Sequence, residues 1–493
     1  MQRYTVSFKD TGRSAVVDEG TTVLAAAAAA GIEIYSPCGG KGSCGKCLVN
    51  IAGEETRACR FHVHSDIEVS VPEHRDVFLT DSQRSVFKTD KSSRLAAAFD
   101  IGTTSIAGDL MNGQTGATLA AASALNPQSS HGADLITRIQ YALDGHLDDL
   151  SSSVWNCMSD LILRMTSDSS KDTSEIDTVA VAGNTAMIHL LLRKDPRPLT
   201  VPPYMPLSVK EERSPISGRL PSSEEAELRI LPSIAGFVGA DTSGCLLSAG
   251  FDRIVKPTLL IDIGTNGEMA LSDGKRCVVC SAAAGPAFEG ARITCGMRGA
   301  QGAISHVRSS ADGFEFEVIG GGPAKGLCGS GLLDTAAVML REELIDPSGR
   351  MQIDGSPYWF RKDDVDACKL TGDVFITQTD IRQLQLAKGA VRAGIELLCT
   401  HMGLVPEDIE TVLLAGAFGT YLDPSSACEI GLIPPCLESR IISVGNAAGD
   451  GARMCALDLR EFERCAGIAA SAEFLELASS PRFQETFVES MLF

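Results

Sequence analysis

The sequence predicts an α/β chain in two parts: an α+β module over residues 1–74, then a two-lobed α/β domain over residues 95–493. Three observations carry that prediction. Four cysteines, Cys38, Cys44, Cys47 and Cys59, lie in and just after a glycine-rich run with the spacing C-x5-C-x2-C-x11-C. An apolar strand ending in Asp-x-Gly-Thr and followed by a second strand occurs twice, at 95–110 and 259–271. A third apolar strand, Glu410–Ala415, runs into Gly416-Ala-Phe-Gly419. With 493 residues, the chain is long enough for two or three full cores.

The N-terminal elements follow in order. Tyr4–Phe8 and Ala15–Val17 alternate as a β-hairpin with Thr11-Gly12 at its turn. Thr21-Thr22 caps a short helix, Val23 to Ala30, which Gly31 closes. After the cysteine loop come two further strands, Lys46–Ile51 and Asp66–Val71. Soft thiolates suit an iron–sulfur cluster or zinc, and glycines 39, 40, 42 and 45 let backbone amides approach the sulfurs. A closed tetrahedral zinc site stays open on the donors alone, although only one C-x2-C pair is present. This order of elements resembles the β-grasp ferredoxin domain. The resemblance implies a 2Fe–2S cluster held by Cys38, Cys44, Cys47 and Cys59. The gaps of five and eleven residues place it among short-spaced modules fused to larger proteins rather than plant ferredoxins.

Composition narrows the class. Lys and Arg number 43 against 63 Asp and Glu, a formal charge of −20, with no basic stripe. Nucleic acid and anionic membrane are therefore poor partners. The longest apolar block, residues 24–30, is mainly alanine and too short to span a bilayer. The N-terminus has no basic-then-apolar signal region, so a cytoplasmic protein is expected. The other cysteines, from Cys157 to Cys465, share no spacing and read as small buried hydrophobes. Cys277 and Cys280 lie in a strand-like run, where their side chains would point to opposite faces. Residues 75–94 turn polar and aperiodic and read as a linker.

The larger domain, lobe I about 95–256 and lobe II about 257–493, carries the duplicated turn about 160 residues apart. Its small residues let the backbone approach a polyphosphate, and amides and threonine hydroxyls donate to the oxygens. Asp100 and Asp262, at the strand ends, suit Mg²⁺ and water positioning. Gly102, Thr103, Thr104, Gly264, Thr265, Asn266 and Gly267 are the candidate phosphate holders, with Gly416, Ala417 and Gly419 for the adenosine of ATP. Glu268 is a candidate for orienting water, though alternation also lets it face solvent. Asn184 reads equally well as a helix cap, and His131 and His189 as structural. No G-x-x-x-x-G-K-[ST] loop occurs, and the glycine run 320–331 reads as a turn cluster or a phosphate cover.

These three motifs resemble those of the actin/hexokinase/heat-shock-chaperone ATPase superfamily. A ferredoxin module joined to that fold is similar to the reductive activators of corrinoid proteins. Four further strings carry this likeness: Asn126–Asp134, Gly183-Asn-Thr-Ala-Met187, Leu327–Leu333 and Val444–Gly451. The resemblance implies that ATP and one low-potential electron return an inactive cobalt(II) corrinoid protein of a methyltransferase system to cobalt(I). It also implies a separate electron donor. Long members of the family carry an additional middle domain linked with dimerisation, for which the connector leaves no room, so a homodimer stays open. The alternatives are an activator of another redox enzyme, a small-molecule kinase with a ferredoxin module, and a non-catalytic sensor of corrinoid proteins.

Overall fold

A computed structural model describes residues 2–32, 34, 36, 40, 42, 47–71, 86–132, 135–216, 218–310, 313–352 and 356–493. Cys38 and Cys44, with Gly39 and Gly45, lie outside the described residues, as does part of the 75–94 connector.

In the N-terminal module, β1 (Arg3–Phe8) and β2 (Arg13–Asp18) form the hairpin, with Tyr4 opposite Val17 and Phe8 opposite Arg13. Helix α1 (Val23–Ala29) is capped by Thr22, whose hydroxyl accepts from the Ala25 amide. Strands β3 (Leu48–Ile51), β4 (Glu54–Arg57) and β5 (Ile67–Ser70) complete a mixed sheet in the order β2-β1-β5-β3-β4. Val23, Ala26 and Ala27 of the helix pack on Val6, Phe8, Val49 and Val69, giving the module a core of its own.

The larger domain holds two six-stranded sheets of matching plan. The first contains β6 (Leu95–Ile101), β7 (Ser105–Asn112), β8 (Thr118–Leu125), β9 (Ile176–Gly183), β10 (Glu212–Pro215) and β11 (Glu227–Ile230). The second begins with β12 (Thr258–Ile263), β13 (Gly267–Ser272) and β14 (Cys277–Ala282). Two small sheets follow: β15 (Ala303–Ser310), β16 (Gly313–Val318) and β17 (Gly326–Leu327), then β18 (Trp359–Lys362), β19 (Val365–Thr371) and β20 (Val374–Thr377). Strands β21 (Thr411–Ala415), β22 (Ile441–Gly445) and β23 (Glu473–Phe474) complete the second large sheet. The orders are β10-β11-β9-β6-β7-β8 and β22-β21-β12-β13-β14-β23. In each, an antiparallel three-strand meander is flanked by strands parallel to its first member. The duplication seen in the turns therefore extends through both sheets.

The helices are α2 (Leu135–Tyr141), α3 (Leu147–Asp168), α4 (Thr185–Leu191), α5 (Ala240–Ser248), α6 (Gly329–Arg341), α7 (Gln378–Met402), α8 (Gly416–Tyr421), α9 (Pro424–Glu429), α10 (Ala447–Leu457), α11 (Leu459–Ser471) and α12 (Phe483–Ser490). Alternation along β12 sorts the core. Leu259, Ile261 and Ile263 face α7, whereas Leu260 joins Ala447, Ala452, Leu246 and Phe462 of α10, α5 and α11 on the other side. Helices α5, α10 and α11 thus share one core with the first sheet and with one face of the second, although α10 and α11 lie late in the chain. Gly244 of α5 and Gly451 of α10 cross so closely that a side chain on Gly451 would run into the Gly244 backbone.

The end of the connector is docked. Asp90 donates its amide to Leu457 O at 3.1 Å, and its carboxylate accepts from the Leu459 amide at 3.0 Å. Cys277 and Cys280 lie on β14 and point into different cores. Burial pushes both thiols up, to about 12 for Cys277.

Candidate functional site

The two Asp-x-Gly-Thr turns sit at equivalent positions, β6–β7 and β12–β13, and their leading acids Asp100 and Asp262 lie within electrostatic reach of one another across a cleft. Each turn is closed by its own backbone. The Gly102 amide donates to Ser105 O at 2.9 Å, and the Gly264 amide to Asn266 O at 2.8 Å. Fully buried Asn126 braces the first turn: its side-chain amide donates to Gly102 O at 2.8 Å and its backbone amide to Thr104 O at 3.0 Å. Thr103 is part-exposed in the same turn. In the second, the Asn266 side chain hydrogen-bonds Glu268. Gly267 opens β13 with Val391 packed close against it.

Asp100 and Asp262 converge with two acids that the sequence motifs did not single out or left ambiguous. Asp241 begins α5, behind Gly239, whose bare Cα lets the chain pass Asn184 and Thr185. Glu268 is the cross-strand neighbour of Asp262 and stands on the same face, so it faces the cleft rather than bulk solvent. All four retain partial surface exposure yet are surrounded by protein. Desolvation and the neighbouring acids push Asp100 up to about 7 and raise Asp241 and Glu268, and desolvation raises Asp262 against the hydrogen bond from Cys245. The Cys245 thiol, held protonated by the same burial, donates to Asp262 Oδ2 at 3.6 Å. Asn446, which caps α10 by accepting from the Gly449 amide at 2.9 Å, also hydrogen-bonds Asp100.

When ionised, acids packed this closely repel one another, and a divalent cation would offset that repulsion. Among the described residues no three acids, histidines or cysteines converge on one metal position.

Gly416 has φ +82° and lies against Asp262; a methyl group there would sit 2.5 Å from Oδ1. The register pairs Ala415 with Asp262, which brings the start of α8 beside the second turn. Ala417 continues that helix, and Gly419 packs on Leu414. Asn184 is a helix cap: its side chain accepts from the Ala186 and Met187 amides. His189 is tied to Thr185 O and the Leu207 amide, and His131 stacks on Tyr141, so both are structural. In the glycine run 320–331, Gly329 passes Phe288 and Phe418 and Gly331 passes Ile304, so these glycines serve close packing at the start of α6.

Glu289 is the residue sequence reasoning missed altogether. It lies in the Pro286–Gly290 turn, with no periodicity to flag it. Its carboxylate accepts from Thr104 Oγ1 at 2.6 Å and from Thr265 Oγ1, joining the two turns across the cleft.

At the N-terminal module, Cys47 and Cys59 are both buried, and the Ala58 amide donates to Cys47 O at 2.7 Å, fixing their strands together. Gly40 has φ +79°, and a side chain there would crowd Leu24 and approach Cys59; one on Gly42 would strike the Arg60 guanidinium. Two thiols and two bare glycines gathered at one end of the sheet fit a sulfur-ligated cluster.

Three family models match successive segments of the chain, one of them a middle region where the sequence reading expected no room for a middle domain. Residues 3–74 match the 2Fe-2S iron-sulfur cluster binding domain, 95–254 the RACo middle region, and 256–493 the C-terminal domain of RACo, the ASKHA domain. The chain is 36% identical over 419 residues to the corrinoid activation enzyme RamQ of Eubacterium limosum, covering 80% of this chain and 70% of the relative. It is 27% identical over 357 residues to the [Co(II) methylated amine-specific corrinoid protein] reductase of Methanosarcina barkeri, covering 64% and 63%. The solved structure of a reductive activator for corrinoid, iron-sulfur protein superposes with a TM-score of 0.74 at 27% identity, covering 99% of this chain and 98% of the other. The chain belongs to the family of reductive activators of corrinoid proteins, built from a 2Fe–2S ferredoxin domain and an ASKHA-type ATPase domain.

Proposed function

We infer that this protein couples ATP to the reductive activation of a corrinoid protein, returning inactive cobalt(II) to cobalt(I). The observation that carries this reading is one chain holding both a cysteine-bearing ferredoxin module and a carboxylate-lined cleft between duplicated turns. When bound by Cys38, Cys44, Cys47 and Cys59, the 2Fe–2S cluster supplies one-electron transfer. A separate low-potential protein donates that electron.

In the cleft, Asp100 and Asp262 would hold hydrated Mg²⁺, and Asp241 and Glu268 would orient water. Gly102, Thr103, Thr104, Gly264, Thr265, Asn266 and Gly267 cradle the phosphates, and the turn of Gly416, Ala417 and Gly419 lines the adenosine side. Fuel is required because each 59 mV uphill corresponds to about 1.4 kcal/mol for one electron. A homodimer would carry two such clefts. No described helix is long and apolar enough to cross a membrane. The reading places the protein in the cytoplasm with its methyltransferase partner.

The test mixes anaerobic protein, a chemical reductant and a cobalt(II) corrinoid protein, with and without ATP, and follows the cobalt(I) absorption. Cobalt(I) is expected only when reductant and ATP are both present. Equal rates without ATP would contradict the reading.

A further inference from the structure

Thr104 and Thr265 stand on opposite sides of the cleft, and the hydroxyl of each donates to one carboxylate, Glu289. A threonine hydroxyl has one proton to donate. Both protons are therefore committed to Glu289, and a phosphoryl group that takes them must displace it. The two oxygens of a carboxylate lie almost as far apart as two oxygens of one phosphoryl group, so the seat filled by Glu289 fits a single phosphate. Like charge makes the exclusion stronger, because the Glu289 carboxylate and a phosphate would repel one another in the same seat.

We propose that Glu289 is a positioning residue that holds the two turns together and yields its seat to the terminal phosphate of ATP. The proposal rests on the reading that these turns hold phosphates. Its consequence is discrimination between nucleotides. ATP presents a phosphate to both hydroxyls and expels Glu289, whereas ADP leaves the carboxylate in place.

The segment that would respond is defined. Glu289 sits between Gly285 and Gly290, both with positive φ, in a turn closed by the Gly290 amide to Ala287 O at 2.9 Å. The adjoining Phe288 is buried against Phe418 of α8, with ring centroids 5.0 Å apart. Displacement of Glu289 therefore pulls on the α8 turn beside Asp262.

The experiment measures binding of ADP and a non-hydrolysable ATP analogue to the full-length protein and to E289Q, T104V and T265V. Gln at 289 keeps the shape but removes the charge and one acceptor. E289Q should bind the ATP analogue at least fivefold tighter and change ADP affinity less than twofold. T104V and T265V should weaken the analogue more than ADP. In the wild type, hydrogen exchange over residues 285–296 should rise with the analogue and not with ADP, which needs no substitution. E289Q with unchanged affinities but slower ATP hydrolysis would overturn the proposal, assigning Glu289 to the attacking water. Equal weakening of both nucleotides by E289Q would overturn it too, reducing Glu289 to a loop brace. If T104V and T265V left analogue binding intact, the phosphate assignment itself would fail and the proposal with it.

Discussion

Gly416 shows how tightly single positions are determined in the cleft. Its φ of +82° and its contact with Asp262 leave no place for a side chain. G416A should lose about 1–2 kcal/mol of stability from the left-handed backbone alone. It should also weaken MgATP binding several-fold by pushing Asp262 aside, which calorimetry would measure; unaltered binding would separate Gly416 from the nucleotide. The legible and hidden residues of the site divide for a physical reason. Asp100 and Asp262 end apolar strands and precede glycine turns, so local pattern exposed them. Asp241 and Glu289 reach the cleft through tertiary packing, from a helix start and an aperiodic turn. For Asp241 the Gly239-Ala-Asp sequence at the start of a helix was an available signal; for Glu289 there was none beyond an acid between two glycines.

Among the elements, hairpins, helix caps and the duplicated turns followed from short-range pattern. Thr22 capping α1 and the Tyr4–Val17 register are examples. The placement of α10 and α11 did not, since an apolar helix face does not specify which sheet will bury it. The Gly244–Gly451 crossing is what fixes that placement, and G451V should separate α5 from α10 and cost about 1–3 kcal/mol in denaturant unfolding. A second element-level expectation concerns pH. His306 Nδ1 lies 2.9 Å from buried Asp334 Oδ2, between β15 and α6, and this hydrogen bond raises the histidine above its ordinary value. The folded state then binds more protons than the unfolded one. Its stabilisation is complete below about pH 6.5 and fades as pH rises through the raised value. H306Q should therefore lose about 1 kcal/mol at pH 5.5 and little at pH 9. A loss independent of pH would show that packing, not charge, is what matters there.

At the scale of the whole molecule, two separately cored modules are joined by a connector whose described end is tied to the α10–α11 junction. A ligand bound only by the folded cleft should stabilise the larger domain without touching the ferredoxin module. MgATP at about a hundredfold over its dissociation constant should add about 2.7 kcal/mol to the unfolding of that domain, and a chelator should abolish most of the gain. The division into ferredoxin and ATPase parts was plain in the sequence because each has its own motif and period. The bridge across the cleft was not, since it depends on residues from both turns meeting at Glu289.

The central claim is that these two parts perform separable halves of one coupled reaction. The most direct measurement compares C47S and D262A, scoring each for the EPR signal of the reduced protein, MgATP binding and cobalt(I) formation in the partner. The account predicts that C47S loses the signal and keeps nucleotide binding, that D262A does the opposite, and that neither produces cobalt(I). Matching losses of signal and binding in both variants, or cobalt(I) formed by either, would contradict it.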